Sequence, residues 1–581
     1  MKKVMNETID IKSVGQTVTL AGWVAKKRDL GGLIFIDLRD DSSIIQLVVN
    51  PDNKNYAIAD SLKSEYVIEV TGKVVERSAK NPNLKTGDIE IEVEELVVLN
   101  TCEELPFPIA DEVNTSDDNR LKYRYLDIRR NRLRDNLNLR SEVLHFLRNK
   151  MYDLGFNEVQ TPILTASSPE GARDFVVPSR LFPGKFYALP QAPQIYKELL
   201  MVGGFSKYFQ IAPCFRDEDA RADRTLEFYQ LDLEMAFVEE DDVLAVGEDI
   251  FYDVFKTFSN KEVTKPPFRR IAYKDAMEDY GSDKPDLRNP LIIKDASEVL
   301  KDTEFGPFKK SNIKVIVVDD IGENSNSWFN DIVDFASSIG MPGIGYITLM
   351  EDGSLKGPID KFLSETERKD LIEKFDMKTN SVMFFIANKN LKTAQKFAGE
   401  IRNYVGEKCG LIDHNKLELC IVNDFPMFEW KEDEKKWDFC HNPFSLPHGG
   451  IEDYDREDKE NILAYQYDFV CNGNEMASGA IRNHDLNSLA KGFEIVGYKR
   501  EEVEERFKSI FTAFKYGCPP HGGMAPGLDR ILMLIKDEPN LREVQAFPTS
   551  ASGADLMMGS PAELMPEQLE ELGIEIKKVE E

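Results

Sequence analysis

Two stretches of this chain carry residue types in an order that could handle a nucleotide. The first runs Phe215-Arg216-Asp217-Glu218 through Arg224 to Glu227-Phe228. Read as a strand, a polar loop and a return strand, it sets an arginine and a glutamate one residue apart on one face. The return strand then brings a phenylalanine. The Arg216 fork can hold an α-phosphate through two parallel hydrogen bonds. Glu218 can accept from an adenine amino group, and Phe228 can stack on the base. A surface hairpin laced with salt bridges uses the same residues and is the commoner meaning of a charge run. The second stretch, Gly522-Gly523-Met524-Ala525-Pro526-Gly527-Leu528-Asp529-Arg530, precedes the apolar run 531–535. Small residues allow close backbone approach to a ligand, and the arginine opens a helix. Alone, this is a glycine-rich turn before a core helix.

The elements that must position these residues are legible in outline. Val18–Val24, 33–38, 44–49, 66–72 and 89–93 alternate as five short strands, with Gly31-Gly32 turning the first into the second. That spacing predicts a small Greek-key barrel of the OB type. Pro106 and Pro108 mark a linker. Val143, Leu147, Met151 and Leu154 then share one face of a helix over 136–154, stopped by Gly155. Strands at 185–189, 208–212 and 227–234 outnumber crossover helices, which predicts a mostly antiparallel sheet flanked by helices. Buried strands at 315–318, 345–349 and 382–386 alternate with helices, the best at 391–405, and read as an inserted α+β module. The expected division is 1–105 barrel, 106–135 linker, 136–285 first segment of the sheet domain, 286–414 insertion, 415–550 its second segment and 551–581 acidic extension.

Composition bounds the function. The chain has 581 residues, 42% hydrophobic and 30% charged, which is globular and neither fibrous nor disordered. Lys plus Arg number 73 against 103 Asp plus Glu, a balance of 73 − 103 = −30. So acidic a chain repels polyanions at long range, and any nucleic-acid contact needs local basic or aromatic patches. No apolar run reaches the ~18 residues that span a bilayer, and the polar start Met1-Lys2-Lys3 lacks a signal-peptide core. Seven dispersed cysteines without a Cys-x-x-Cys pair fit free thiols in a reducing cytosol. His-Glu-x-x-His and the P-loop are absent, so a zinc-protease site and P-loop ATP use are excluded.

Together the two stretches resemble the second and third signature motifs of class II aminoacyl-tRNA synthetases. The 136–154 helix, followed by Gly155-Phe156 and a strand starting at Gln160-Thr161-Pro162, resembles the first, which lies at a dimer interface. Class I signatures are absent. Gly22-Trp23-Val24, Arg28-Asp29-Leu30-Gly31-Gly32, Phe35, Leu38-Arg39-Asp40 and Gln46 look like the anticodon barrel of the aspartate, asparagine and lysine enzymes. Pro169–Asp174, Gln191–Lys197 and Tyr280–Arg288 look like the bacterial-type aspartate enzymes, as does the insertion.

The resemblance implies ATP-dependent attachment of L-aspartate to tRNA(Asp) through an aspartyl-adenylate, by a cytoplasmic homodimer that binds neither membrane nor DNA. Arg216 would bind the α-phosphate and the aspartate carboxylate, and Glu218 and Phe228 the adenine. Arg530 would bind the γ-phosphate. Asp217, Thr225, Gly527, Leu528 and Asp529 would complete the ATP site. Asp468 and Glu475, taken to lie seven residues apart on one strand, would hold Mg²⁺, and Glu475 would also face ATP. Two carboxylates suit a metal that keeps waters and takes phosphate oxygens; from spacing alone Glu475 and Arg482 are equally a local ion pair. Arg482 and Lys197 would take the substrate's side-chain carboxylate, and Glu170, Gln194 and Asp232 would surround its ammonium. His441 would close over it from a mobile loop.

In the barrel, Phe35 would stack on an anticodon base, with Arg28 and Gln46 at base edges. Core packing is the alternative for Phe35. The chain departs from the family at Asn442, where a second histidine is common, and at Ala192, where serine is common. Relatives that charge both tRNA(Asp) and tRNA(Asn) tend to carry histidine where this chain has Leu30. Lys80, Asn81 and Asn83 could supply polar contacts to the third anticodon base, or form only a solvated turn around Pro82.

Overall fold

Strict alternation closes the N-terminal sheet on itself. The strands β1 (Thr17–Leu30), β2 (Leu33–Arg39), β3 (Ile44–Val49), β4 (Val67–Glu76) and β5 (Ile89–Asn100) form a closed barrel in the order β1-β2-β3-β5-β4. Every pair is antiparallel except β3 with β5. Leu20, Val24, Ile34, Ile36, Leu38, Leu47, Ile68, Val70 and Ile91 fill its interior. The alternate residues of β2, Phe35 and Asp37, are only half-buried and outside that core. The computed structural model describes residues 3–167 and 172–577. The barrel belongs to a unit that runs to Thr115, and the rest of the chain forms a second unit from Ser116.

The second unit is built on an eight-stranded sheet. Its order is Arg269–Ala272, Leu419–Pro426, Leu463–Cys471, Asn474–Ile481, His521–Pro526, Glu227–Ala236, Lys207–Phe215 and Asn157–Glu158. The six central strands are antiparallel and only the two edge strands pair in parallel. The helices Asn131–Asp153, Glu240–Phe258 and Leu528–Lys536 pack their apolar faces on it through Val143, Leu147, Met151, Ile250, Phe251, Val254, Ile531 and Leu532. The insertion has its own five-stranded antiparallel sheet, from Ile293–Asp295 to Val382–Asn388, with a separate core on each face. Buried Arg402, from the Leu391–Lys408 helix, ties its root by donating to the carbonyls of Asp286, Asn289 and Leu291.

Several expectations need correction. The helix expected at 136–154 begins at Asn131 and ends at Asp153. The strand expected to start at Gln160 is the short Asn157–Glu158 instead. Residues 116–135 are not linker. Arg120 pairs with Asp127 and Glu543, and Arg124 donates to the carbonyls of Arg542, Gln545 and Ala546. An arginine-rich stretch reads as solvated until its acceptors come into view: the nearby Asp127, and Glu543 and the 542–546 carbonyls over 400 residues away in sequence. The 185–189 stretch joins a separate hairpin, Val176–Pro178 with Phe186–Ala188, and not the main sheet. Among the described residues no helix is long and apolar enough to cross a membrane.

Candidate active site

The nucleotide-type residues converge at one end of the sheet. The Lys207–Phe215 strand stops one residue before Arg216, so Arg216 and Glu218 sit on the connecting loop and not on the strand as expected. The Arg216 N–H donates to the Leu226 carbonyl at 2.9 Å, which keeps the loop closed as far as Arg216. Its guanidinium lies 5.0 Å from the centre of the Phe228 ring. Arg216, Glu218, Thr225, Phe228, Glu475, Gly527, Asp529 and Arg530 line one cavity of about 210 Å³. Glu218 accepts from Arg224 at 2.6 Å, so an adenine amino group would have to share that carboxylate. Arg530 reaches across to the Glu475 carbonyl at 2.7 Å. Gly527 donates its N–H to Met476 at 2.8 Å, holding the start of the Leu528–Lys536 helix against the neighbouring strand.

Four assigned residues have other main contacts. The Leu528 side chain is wholly in the core. Asp529 accepts from Arg140 and from Gln545 at 2.9 Å. Thr225 donates to the Glu227 carbonyl at 2.8 Å. Asp217 uses its N–H on the Arg173 carbonyl.

Asp468 and Glu475 do not lie on one strand. They belong to a hairpin, Leu463–Cys471 and Asn474–Ile481, turned by Asn472-Gly473, both at positive φ of 51° and 78°. Asn-Gly is the residue pair that such tight hairpins select. A register shift between Phe469 and Val470 accompanies the turn. Burial, and next the Glu475 charge, push the Asp468 carboxyl well above the carboxylate range. Two hard oxygen donors left in mutual repulsion fit a divalent cation such as Mg²⁺, whose other positions go to phosphate oxygens and water. Among the described residues no cluster of three or more His, Cys, Asp or Glu could hold a metal alone. Lys284, given no role from sequence, lies 3.3 Å from Glu475 and 2.8 Å from Asp283. Burial opposes its charge, but Glu475, Asp283 and Asp468 outweigh that and raise it.

Behind this lies a buried ionic pocket. Lys197, from the Gln194–Val202 helix, donates to Asp232 Oδ1 at 2.6 Å and lies 3.3 Å from Glu234 Oε2. Arg482 clamps Glu234 with two hydrogen bonds of 2.9 and 3.1 Å. Lys197 and Arg482 are 2% exposed, and Asp232 and Glu234 are 0%. Burial alone would raise Glu234; Arg482 and Lys197 outweigh it and hold it down to about 2. Burial prevails at Asp232 over the opposing Lys197 charge, and its carboxyl is raised. Asp232 Oδ2 has no hydrogen-bond partner among the described residues. The pocket therefore offers two cationic side chains and one unused carboxylate oxygen, which matches an amino acid with an acidic side chain.

Gln194 donates to Glu198 at 2.5 Å within the same pocket. The His441 ring stands edge-on to Phe425 at 4.6 Å. Asn442 turns back to accept the Phe444 N–H at 2.9 Å, which shapes the loop. Glu170 lies outside the described residues. Glu234, Glu198 and His521 were missed from sequence. Alternation in Asp232-Leu233-Glu234 was the available signal, since it puts both carboxylates on one face.

In the barrel, Arg28 pairs with Asp37 at 2.7 Å, donates to Gln46 at 3.1 Å and lies 5.9 Å from the Phe35 ring centre. Arg77 also donates to Gln46 at 3.1 Å, and Gln46 to Glu90 at 2.6 Å. Leu30 is exposed. Lys80 pairs with Glu76 at 2.9 Å, and the Asn81 side chain accepts the Asn83 N–H at 3.0 Å, so these residues hold their own turn.

Residues 116–551 match the tRNA synthetases class II (D, K and N), and residues 18–99 match the OB-fold nucleic acid binding domain. An aspartate–tRNA(Asp/Asn) ligase of Zymomonas mobilis is 52% identical over 97% of this chain and 96% of its own length. An aspartate–tRNA ligase of Streptomyces avermitilis is 48% identical over 97% of each. Among solved structures, the asparaginyl-tRNA synthetase of Pyrococcus horikoshii, complexed with asparaginyl-adenylate, superposes with a TM-score of 0.58 at 20% identity, over 97% of this chain and 100% of that one. The fold and both sites thus define a class II aminoacyl-tRNA synthetase. Within that class, the chain belongs to the aspartate–tRNA ligase family.

Gly523 sits where this geometry is tightest. A methyl there would fall 2.1 Å from the Leu233 carbonyl oxygen and 2.3 Å from Glu234 Oε2. Gly523→Ala must push its own strand away from the Glu227–Ala236 strand and move Glu234 off Arg482. The expected result is a loss of about 1–3 kcal/mol in urea unfolding. Calorimetry should also show aspartate affinity reduced about tenfold or more, the equivalent of ~1.4 kcal/mol. Unchanged stability and affinity would show the site to be looser than drawn.

Proposed function

We propose that the chain attaches L-aspartate to tRNA(Asp) in two steps. The observation that carries this is the buried pairing of Lys197 and Arg482 with Glu234, next to the unused Asp232 oxygen and a few residues from the Arg216–Phe228 cavity. A side-chain carboxylate enters between Lys197 and Arg482, and Asp232 and Gln194, with Glu170, receive the ammonium. The α-carboxylate attacks the α-phosphorus of ATP and pyrophosphate leaves. The terminal ribose hydroxyl of the tRNA then attacks the acyl carbon and AMP leaves. Arg216 holds the α-phosphate through the guanidinium that lies over Phe228, and Arg530 holds the γ-phosphate. Mg²⁺ held by Asp468 and Glu475 would neutralise phosphate charge. No enzyme nucleophile is needed; positioning and fixed charge carry the rate. Phe35 and Arg28, half-buried on the barrel, are what it offers to anticodon bases; Gln46, expected at a base edge, is buried and held by Arg28, Arg77 and Glu90, so its part is to position Arg28. A homodimer through the Asn131–Asp153 helix fits the exposed Ile163 and Leu164 beside Pro162 and the prevalence of symmetric dimers.

A second reading extends the substrate to tRNA(Asn). The Zymomonas relative's name favours it. Leu30, standing where relatives that charge both tRNAs tend to carry histidine, favours tRNA(Asp) only. We adopt tRNA(Asp) as the substrate. Aminoacylation of the two purified tRNAs side by side decides: a preference for tRNA(Asp) of at least about tenfold is expected, the scale of one base-edge contact. Comparable efficiency establishes the wider specificity.

Arg216→Leu removes a charge-assisted contact to the reacting phosphate. Aspartate-dependent exchange between pyrophosphate and ATP should fall at least ~10²-fold, as for loss of one transition-state donor. Near-normal exchange would refute the assignment.

A further inference from the structure

His521 has no place in the chemistry above, yet it is 0% exposed and touches the ionic pocket. It opens the His521–Pro526 strand, and its carbonyl accepts the Arg482 N–H at 2.9 Å. Its Nδ1 lies 2.8 Å from the Pro519 carbonyl oxygen. A carbonyl only accepts, so Nδ1 carries a proton. Its Nε2 lies 3.3 Å from Glu198 Oε2, while the other oxygen of Glu198 takes the Gln194 N–H. A neutral ring would turn the Nε2 lone pair on that carboxylate. A second proton turns the same contact into a charge-assisted hydrogen bond.

The charge count points the same way. The pocket holds the carboxylates of Glu198, Asp232 and Glu234 and the cations of Lys197 and Arg482, none more than 2% exposed. With all three carboxylates ionised, a neutral His521 would leave one buried negative charge uncompensated, facing an incoming carboxylate. The groups around the ring are Glu198 and Glu234, the Cys518 thiol 3.8 Å from Nδ1, and the Phe514 ring edge-on at 6.0 Å. Burial disfavours the charged ring, but hydrogen bonds to Cys518 and Glu198 and the two carboxylate charges push it up to about 10.

We propose that His521 is a positioning residue of the aspartate pocket, a buried imidazolium that neutralises Glu198 and so fixes the Gln194 amide and balances the pocket for a carboxylate ligand. This rests on Lys197 and Arg482 seating the substrate's side chain.

The test measures pyrophosphate exchange with aspartate and ATP varied separately. His521→Gln should raise KM for aspartate about tenfold or more, the scale of a buried carboxylate left without its partner. KM for ATP and kcat should stay within about twofold, because the ATP cavity keeps its residues. Glu198→Gln combined with His521→Gln removes both charges and should recover most of the aspartate KM, a coupling that a double-mutant cycle reads directly. Parallel shifts in both KM values, or a double variant no better than the single, would overturn the proposal. ¹⁵N-histidine spectra of the parent chain, in which no variant need fold, should show both His521 nitrogens protonated near neutral pH; a neutral tautomer overturns it. A parent that shows no aspartate-dependent exchange would remove the pocket reading beneath the proposal, whereas normal parental exchange with an unshifted His521→Gln removes the role of His521 alone.

Discussion

Glu234 is the residue around which the site is organised. It is buried without solvent, gripped by Arg482 on one side and approached by Lys197 on the other. An ion pair so far from water gains little net stability over an apolar substitute, but losing one partner is costly, about 3–5 kcal/mol. The pocket is therefore all or nothing: each charge is tolerable only while the others stay in place. That condition ties together the Gln194–Val202 helix, the Glu227–Ala236 strand and the Asn474–Ile481 strand, which leads directly into Arg482.

Antiparallel pairing supplies the precision this demands. Glu234 is opposite Gly523 on one neighbouring strand and Tyr208 on the other, and Gly523 is in turn opposite Ala480. Residues separated by hundreds of positions are fixed by ladder register, and side-chain alternation points Asp232 and Glu234 to one face. Gly523 permits the close approach because it has no Cβ. Neighbouring strand ends carry the nucleotide-type residues: Arg216 follows one strand, Phe228 is second in the next and Arg530 lies in the first turn of the helix after a third. Amino-acid and nucleotide sites are thus consecutive stations on one sheet face.

How much of this was visible in the sequence depended on whether the signal was local. The barrel strands, the antiparallel sheet and the inserted module show in alternation and helical period. Arg216, Phe228 and Arg530 stand in short motifs, and the structure brings them to one cavity. What escaped depended on distant partners. Glu198 and His521 are ordinary in their local sequence, and only the fold brings them within 3.3 Å. Residues 116–135 read as linker because the acceptors of Arg120 and Arg124 lie near the far end of the chain. Asp468 and Glu475 fall on two strands because Asn472-Gly473 turns the chain between them, and that pair is itself a local sequence signal. Lys80 reads from sequence either as a base-edge donor or as part of a solvated turn, and its pairs with Glu76 and Asp88 are those of a turn.

The central claim is that buried charge pairing around Glu234 seats an acidic amino acid. Titration calorimetry of Arg482→Leu with aspartate and with ATP, beside the parent enzyme, tests it most directly. Removing Arg482 leaves Glu234 facing the ligand carboxylate, and at about 3–5 kcal/mol the aspartate affinity should fall by two orders of magnitude or more. ATP should bind as it does to the parent, since its cavity lies on Arg216, Phe228 and Arg530. Aspartate affinity equal to the parent's, with ATP binding intact, would contradict the account.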